Sequence, residues 1–208
     1  MGEAVTRPPD QDAEPTTAPA RSKISSERER EFFEAVLDEV RNHGYQAVTM
    51  EGVAARTRCG KSTLYRRWGT KARFVAAALR ADRQPRCAGI DTGSLAGDLR
   101  LAAAVTGAWS DQDTGLLQAL GYAVMTDSDL RDAVRETVVA PEVAALEAVL
   151  RRGVERGEVP ADHPALAFVP SMLFGVTRIR PLIEGRPADA DYLTRYVESA
   201  VLPALGLA

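Results

Sequence analysis

The chain has 208 residues, a formal net charge of −3 at pH 7, 45% hydrophobic residues and 26% charged residues. These values are typical of a soluble globular protein with one or two domains. No apolar run approaches the roughly 20 residues that cross a bilayer, so we expect no membrane span.

Residues 1–24 form the first segment. They include Pro8, Pro9, Pro15 and Pro19 among Thr, Ala and Asp residues. The segment therefore has too little apolar surface to offset the entropy lost on ordering. Acids and prolines also occupy the positions where a secretory signal needs a continuous apolar stretch. We predict a disordered arm at 1–24 and a cytoplasmic protein.

The first helix is predicted over residues 25–43. Phe33, Val36, Leu37 and Val40 recur at i, i+3, i+4 and i+7, which is the spacing of one apolar stripe on an amphipathic helix. Gly44 follows this stripe and is well placed to end the helix.

Two short helices are predicted next, on either side of a tight turn. Thr49 is a good N-cap for "MEGVAART", and Leu64 and Trp68 share one face of "KSTLYRRW". The connecting "TRCG" contains Gly60, and this arrangement is a helix-turn-helix. Thr70 is a second N-cap and begins a fourth helix.

The segment 84–93 contains Pro85 and two glycines and is predicted to be a linker between a domain at 25–83 and a domain at 94–208. No strand or hairpin pattern of useful length occurs. Pro170 is expected to kink its helix or to lie at a break. We predict an all-α fold of about nine helices, the later ones at 94–110, 115–125, 129–140, 141–157, 163–184 and 189–202.

Positive charge is concentrated in one part of the chain. Residues 56–83 contain nine basic residues and one acid, a local balance of +8 that leaves −11 for the rest. An ordinary solvated surface would carry interspersed acids, so this pattern favours a polyanion partner. A protein that packages DNA along its whole length would need basic charge throughout, and the acidic remainder argues against it.

The helix predicted at "KSTLYRRW" has a face suited to the DNA major groove. Ser62, Thr63 and Arg66 lie opposite its apolar face, where short polar side chains and one arginine can meet base edges. Residues on its flanks, and the starts of the neighbouring helices, are suited to phosphate contacts.

At these residues the chain resembles the TetR (tetracycline-repressor) family of bacterial regulators. The resemblance covers about residues 30–80 and rests on Gly44-Tyr45, "VTMEGVAART" and "RCGKSTLYRRWGTK". The sequence departs from the usual pattern at Arg58 and Gly60, where glycine and serine are frequent, and at Gly69, where proline is frequent. The resemblance implies DNA-contacting roles for Thr49, Lys61, Ser62, Thr63, Tyr65, Arg66, Arg67 and Lys71.

The resemblance also implies a homodimer that binds a palindromic double-stranded DNA operator, with recognition helices about 34 Å apart. It implies a C-terminal domain that holds a small-molecule effector and dimerises through the last two helices. The apolar surface of those helices is equally compatible with a simple core. The predicted dimer interface is Leu193, Tyr196, Val197, Ala200 and Val201. The predicted effector-pocket residues are Trp109, Leu117, Tyr122, Met125, Phe168, Met172 and Phe174.

Enzymatic and metal-binding alternatives find little support in the sequence. Its two cysteines, Cys59 and Cys87, and its two histidines are far apart, and no Gly-rich phosphate loop or G-x-S-x-G motif occurs. We expect no metal, no cofactor and no catalytic residue. Arg178 and Arg180 occupy an apolar stretch, where each can pair with an acid of the protein or receive an acidic ligand.

Overall fold

The computed structural model describes residues 24–81, 84–112 and 114–207, with the backbone alone at 109–112, 114–115 and 117–118. Within these ranges the chain forms nine helices and no strand, which confirms the all-α prediction. The predicted arm at 1–24 lies outside the described residues except for Ile24.

The first four helices follow the predicted boundaries closely. They are α1 (Ser26–His43), α2 (Met50–Arg56), α3 (Lys61–Trp68) and α4 (Lys71–Arg80), with a short 3-10 turn, Tyr45–Ala47, after α1. Ser25 caps α1 by accepting a hydrogen bond from the Arg28 amide at 3.2 Å.

Five longer elements complete the chain. α5 is Leu95–Gln112 and α6 is Thr114–Thr126. α7 comprises Ser128–Val134, a π-helical segment at Arg135–Val139 and Ala140–Glu155. A 3-10 turn, Pro164–Phe168, leads into α8 (Val169–Glu184). α9 comprises Ala190–Tyr196, a π-helical segment at Val197–Val201 and Leu202–Ala204.

Prolines have different effects in these helices. The predicted break before Pro141 is wrong, because α7 continues through it: Ala140 donates to the Arg135 carbonyl five residues back, and this wider turn precedes the proline. Pro203 in α9 also follows a π-helical segment. Pro170 lies in the first turn of α8, where its missing N–H is tolerated, so the predicted break there is confirmed.

The buried residues form two cores. The first core is formed by the four helices α1, α2, α3 and α4 together with α6 and the start of α7. It contains Phe32, Leu64, Phe74, Leu120 and Leu130. The predicted linker therefore does not mark the boundary between the two cores. Residues beyond it help to bury the helix-turn-helix.

The second core joins α5, the later part of α7, α8 and α9, and it contains Leu99, Leu146 and Leu173. α5 and α9 approach closely at Gly107, where an added Cβ would lie 2.5 Å from the Ala190 backbone. Glycine at this position therefore sets the spacing of the two helices.

Candidate nucleic-acid interface

α3 packs against buried aromatic side chains. Leu64 is fully buried and Trp68 nearly so. The Trp68 ring stacks on Phe74 with centroids 4.2 Å apart and meets the edge of Phe32 at 5.9 Å. The prediction that Leu64 and Trp68 face the interior is confirmed, and these contacts fix the rotation of α3 about its axis.

The turn between α2 and α3 is a Schellman motif. The Cys59 amide donates to the Ala54 carbonyl at 2.9 Å, and the Arg58 amide donates to Ala55 at 3.2 Å. Arg58 is therefore in the left-handed region, with φ of 50°. Glycine adopts this conformation at lower cost, so Arg58 keeps the expected geometry with some backbone strain.

The helices around this turn begin with different caps. Thr49 Oγ1 accepts from the Gly52 amide at 3.0 Å, and Thr70 Oγ1 accepts from the Arg73 amide at 3.2 Å. Gly60 precedes α3 without a side-chain cap. The Thr63 amide donates to the Gly60 carbonyl at 2.9 Å, and no side chain caps the two amides before it.

The outward face of α3 is polar and accessible. Lys61, Ser62, Tyr65, Arg66 and Arg67 are exposed. Thr63 is half-buried and Thr49 is exposed. Arg66 has no ion pair or hydrogen bond to any described residue. Its guanidinium group is therefore available for a bidentate contact with guanine.

Two of the predicted phosphate-binding side chains already have acidic partners. Arg67 Nη2 lies 2.8 Å from Glu29 Oε1, and Lys61 Nζ lies 3.4 Å from Glu51 Oε1. Both pairs are at the surface, where such contacts contribute little to stability. Phosphate oxygens can therefore replace these carboxylates at low cost.

Arg56 is held more firmly, by two acids of α1. It lies 2.9 Å from Asp38 and 3.0 Å from Glu39. The acids of α1 are distant in sequence but close in space, so the local balance of +8 overstates the positive charge of this surface. A count of charges along the sequence misses these ion pairs because it does not include contacts between distant segments.

Lys71, at the start of α4, connects the interface to α7. Its Nζ donates to the Tyr45 carbonyl at 3.1 Å and lies 4.2 Å from the centre of the Tyr45 ring. Burial lowers the pKa of Lys71, and the charge of Asp127 opposes that shift. Burial, with Asp127 as a further cause, raises the pKa of Tyr45 above its usual range. Asp127 is the N-cap of α7, where its Oδ1 accepts from Leu130 at 2.9 Å.

The predicted dimer-interface residues divide into two sets. Leu193, Val197 and Val201 are fully buried in the second core of a single chain. Their surface is already covered within the chain, so their assignment to a dimer interface stays a prediction that this packing does not support. The helical stripe was recognised correctly, but it packs within the chain. Tyr196 and Ala200 are half-buried and retain part of their surface.

The described side chains among the predicted effector-pocket residues differ in exposure. Tyr122, Met125 and Phe168 are largely exposed, so their assignment to an effector pocket stays a prediction. Met172 and Phe174 are half-buried against the second core. The side chains outside the described set are those of Trp109 and Leu117.

Sequence reasoning missed the exposed apolar face of α8. Leu182 is 83% exposed, Ile183 is 76% exposed, and Ile179 is half-exposed on the same helix. Apolar residues in "RIRPLIEG" were the available signal. Large exposed apolar side chains in a cluster indicate a protein-protein contact.

Arg180 on α8 has protein partners. It donates to Glu184 Oε2 at 3.0 Å and to the Pro187 carbonyl at 2.6 Å, and it lies over the Tyr192 ring at 3.6 Å. Of the two alternatives from the sequence, Arg180 therefore takes the ion pair.

Two family models match this chain. The model for bacterial regulatory proteins of the tetR family matches residues 34–78, which include α2 and α3. The model for the tetracyclin repressor-like C-terminal domain matches residues 90–200, more than half of the chain. The chain belongs to the TetR family of transcriptional regulators.

Curated relatives and solved structures agree with this assignment. A DNA-binding transcriptional repressor TetR of Mycobacteroides abscessus is 31% identical over 163 residues, covering 76% of this chain and 84% of that one. An uncharacterised HTH-type transcriptional regulator of Mycobacterium tuberculosis is 29% identical over 180 residues, covering 86% and 89%. The crystal structure of the TetR family transcription regulator SCO0332 is 26% identical, with a TM-score of 0.65, covering 86% and 96%.

Membership of the TetR family makes the protein a DNA-binding regulator and not an enzyme. One stretch, Pro164–Glu184, is long and apolar enough to cross a membrane by length and composition, with a mean hydropathy of 1.3. It contains α8 and its exposed apolar face. In a family of soluble DNA-binding regulators, one weakly apolar helix does not indicate a membrane protein.

Proposed function

We propose that this TetR-family protein is a cytoplasmic repressor that binds a palindromic operator as a homodimer and is released by a small-molecule effector. The observation that carries the proposal is the orientation of α3. Buried aromatic contacts fix this helix so that Ser62, Arg66 and Tyr65 face outward. The name of the M. abscessus relative, a DNA-binding repressor, supports repression as the outcome.

DNA contacts divide by function on this surface. Ser62, Thr63 and Arg66 read base edges, and Lys61, Tyr65, Arg67 and Lys71 position the helix on phosphates. Thr49 adds a phosphate contact at the start of α2, where its hydroxyl caps the helix. Arg67 and Lys61 exchange their surface carboxylates for phosphate on binding.

Dimerisation uses the exposed apolar face of α8. Leu182 and Ile183 are too exposed to contribute to the core of their own chain. A second copy of the chain that covers them removes more of their apolar surface from water than their intrachain contacts do. Tyr196 and Ala200 of α9, which are half-buried, are further candidates for this contact.

Effector control acts through the shared first core. α4 packs on α7, and α1 packs on α6, so a change in the position of α6 and α7 reaches the helices that hold α3. An effector releases DNA only if it binds more tightly to the conformation with the non-productive helix spacing.

The experiment is in vitro selection of random duplex DNA with the purified full-length protein. The proposal predicts an enriched palindrome whose half-sites are centred about 10 base pairs apart or a multiple of that spacing. A dimer or a pair of dimers should occupy each duplex in sedimentation. Enrichment of single, unpaired half-sites, or of no sequence, would contradict the proposal.

A further inference from the structure

Arg58 carries the exposed side chain of the turn between α2 and α3. The residue before it, Thr57, is buried, and its hydroxyl donates to the Val53 carbonyl at 2.8 Å. The residue after it, Cys59, is half-buried and packs against the first core. Because both neighbours are held inward, the Arg58 side chain projects from the turn into solvent.

The backbone of this turn is held by several hydrogen bonds. Arg28 of α1 donates through its Nη2 to the Thr57 carbonyl. The two Schellman hydrogen bonds hold the amides of Arg58 and Cys59 on the end of α2. Arg58 therefore cannot leave the left-handed region, where its φ is 50°, without breaking these bonds. Glycine takes this conformation at lower cost, so arginine is a costly residue at this position.

The Arg58 guanidinium group contributes no polar contact to the fold. It makes no ion pair, hydrogen bond or ring contact with any residue in the described ranges. Basic side chains nearby differ: Arg56 is paired with two acids of α1, and Lys61 is paired with Glu51. Arg58 shares its unpaired state with Arg66. An exposed cation of this kind can bind an anion without first breaking an ion pair.

Arg58 also lies close to the end of α3 that is suited to enter the major groove. It precedes Lys61, the first residue of α3, by three residues, so their Cα atoms are at most about 11 Å apart. The ion pair of Lys61 with Glu51 brings the first turn of α2 beside the same end. When a helix enters the groove by its first residues, the phosphates of the groove edge lie beside the turn that precedes it.

We propose that Arg58 binds a DNA phosphate at the edge of the groove that α3 enters, and that this contact does not depend on base sequence. The inference rests on the orientation of α3 in the proposed function, and it adds a contact from outside that helix. The guanidinium group donates to phosphate oxygens, and the fixed turn holds it in one place relative to α3. The contact therefore positions α3 on the duplex without reading bases.

The test measures the affinity of the full-length protein for the selected operator and for random duplex DNA, by fluorescence anisotropy over a range of salt concentrations. Arg58→Asn is the main variant, because asparagine tolerates the left-handed region and removes the charge. It should weaken binding to both DNAs about tenfold at low salt. The slope of log affinity against log salt should become shallower by about 0.9, the value for one phosphate contact.

Two control variants accompany this measurement. Arg58→Lys keeps the charge at the same position, so it should keep the salt dependence of the unmodified protein. Arg195→Asn removes an exposed charge on α9 and changes the net charge by the same amount. It should bind both DNAs like the unmodified protein.

Arg58→Gly separates DNA binding from folding. It removes the charge and the cost of the positive φ together, so its melting temperature should equal or exceed that of the unmodified protein. Its affinity for both DNAs should fall as in Arg58→Asn. A purely structural role for Arg58 would instead lower the melting temperature together with the affinity.

Four results would each overturn the inference. Arg58→Asn keeps the affinity and salt dependence of the unmodified protein, or it weakens binding to the operator alone, which indicates a base contact. Arg58→Lys loses as much of the salt dependence as Arg58→Asn does, so the charge is not responsible. The variants that lose affinity also melt at a lower temperature, so the loss follows from folding.

The two DNAs separate this inference from the proposed function. If Arg66→Ala loses affinity for the operator while the Arg58 variants bind normally, the phosphate contact is wrong and the repressor proposal stands. If the Arg58 variants weaken binding to random duplex but no palindrome is selected, the phosphate contact stands and the repressor proposal fails.

Discussion

α3 and α8 both present a wide surface to solvent, but their surfaces have opposite chemistry. α3 buries Leu64 and Trp68 and exposes hydroxyls and cations, whereas α8 buries Leu173 and exposes Leu182 and Ile183. A hydrated polyanion fits the first surface. Another apolar protein surface removes the second from water, so the proposed function assigns DNA recognition to α3 and self-association to α8.

The largest expected effect is at Trp68, which fixes α3. Trp68→Ala removes stacking on Phe74 and leaves a cavity in the first core, so the free energy of unfolding should fall by about 3–5 kcal/mol. Urea denaturation measures this value. Tyr65→Ala, on the exposed face of the same helix, should change it by less than ~1 kcal/mol. Equal losses would mean that α3 is not held by its buried face.

The apolar surface of α8 gives the next largest effect. Leu182→Glu combined with Ile183→Glu should weaken the dimer on the order of 100-fold, because each charge must be desolvated at the interface. Sedimentation measures the shift to monomer, and circular dichroism should remain helical. Leu193→Glu, one helix away but buried, should unfold the protein instead. A double variant that stays dimeric at micromolar concentration would assign the interface elsewhere.

Tyr45 lies in the first core beside Lys71 and Asp127, and its raised pKa predicts a dependence of stability on pH. Because its pKa is raised in the folded state, its stabilising effect is complete below pH ~10 and is lost as pH rises toward the folded value. The free energy of unfolding should fall by about 1 kcal/mol per pH unit above pH ~10. The lowered pKa of Lys71 acts with the opposite sign.

Tyr45→Phe isolates this effect, since it removes the phenol and keeps the ring beneath Lys71. Its unfolding curves between neutral and alkaline pH should decline less steeply than those of the unmodified protein. Parallel declines in the two proteins would show that the phenol does not titrate with folding.

The smallest expected effect is at the turn before α3. Arg58→Gly relieves the positive φ and should raise the free energy of unfolding by roughly 0.5–1 kcal/mol. Denaturant midpoints measure the gain. A loss of stability would mean that the Arg58 side chain contributes more than its backbone strain costs.

The helix-turn-helix could be predicted from sequence because its signals are local. Thr49 and Thr70 act as N-caps as expected, and the spacing of Leu64 and Trp68 gives the buried face of α3. Arg58 takes the turn geometry of a glycine at a cost in strain, so the departure from the family pattern leaves the turn intact.

Other features depend on contacts between distant segments. The apolar stripe of Leu193 and Val197 does not indicate whether its partner lies in the same chain, and the structure places it in the second core. The pairing of Arg67 with Glu29 spans 38 residues, so a local charge count could not include it. The π-helical turn at Arg135–Val139, through which α7 continues into Pro141, was likewise not predicted from the residue types.

The most direct test of the central claim compares Arg66→Ala and Lys71→Ala on the selected operator and on random duplex DNA, by fluorescence anisotropy over a range of salt concentrations. Arg66→Ala should lose about 1–3 kcal/mol on the operator alone, and Lys71→Ala should weaken both DNAs and flatten the salt dependence. Arg195→Ala, an exposed charge on α9, is the control. Equal losses for Arg66→Ala on both DNAs would contradict the assignment of α3 as the helix that reads the operator.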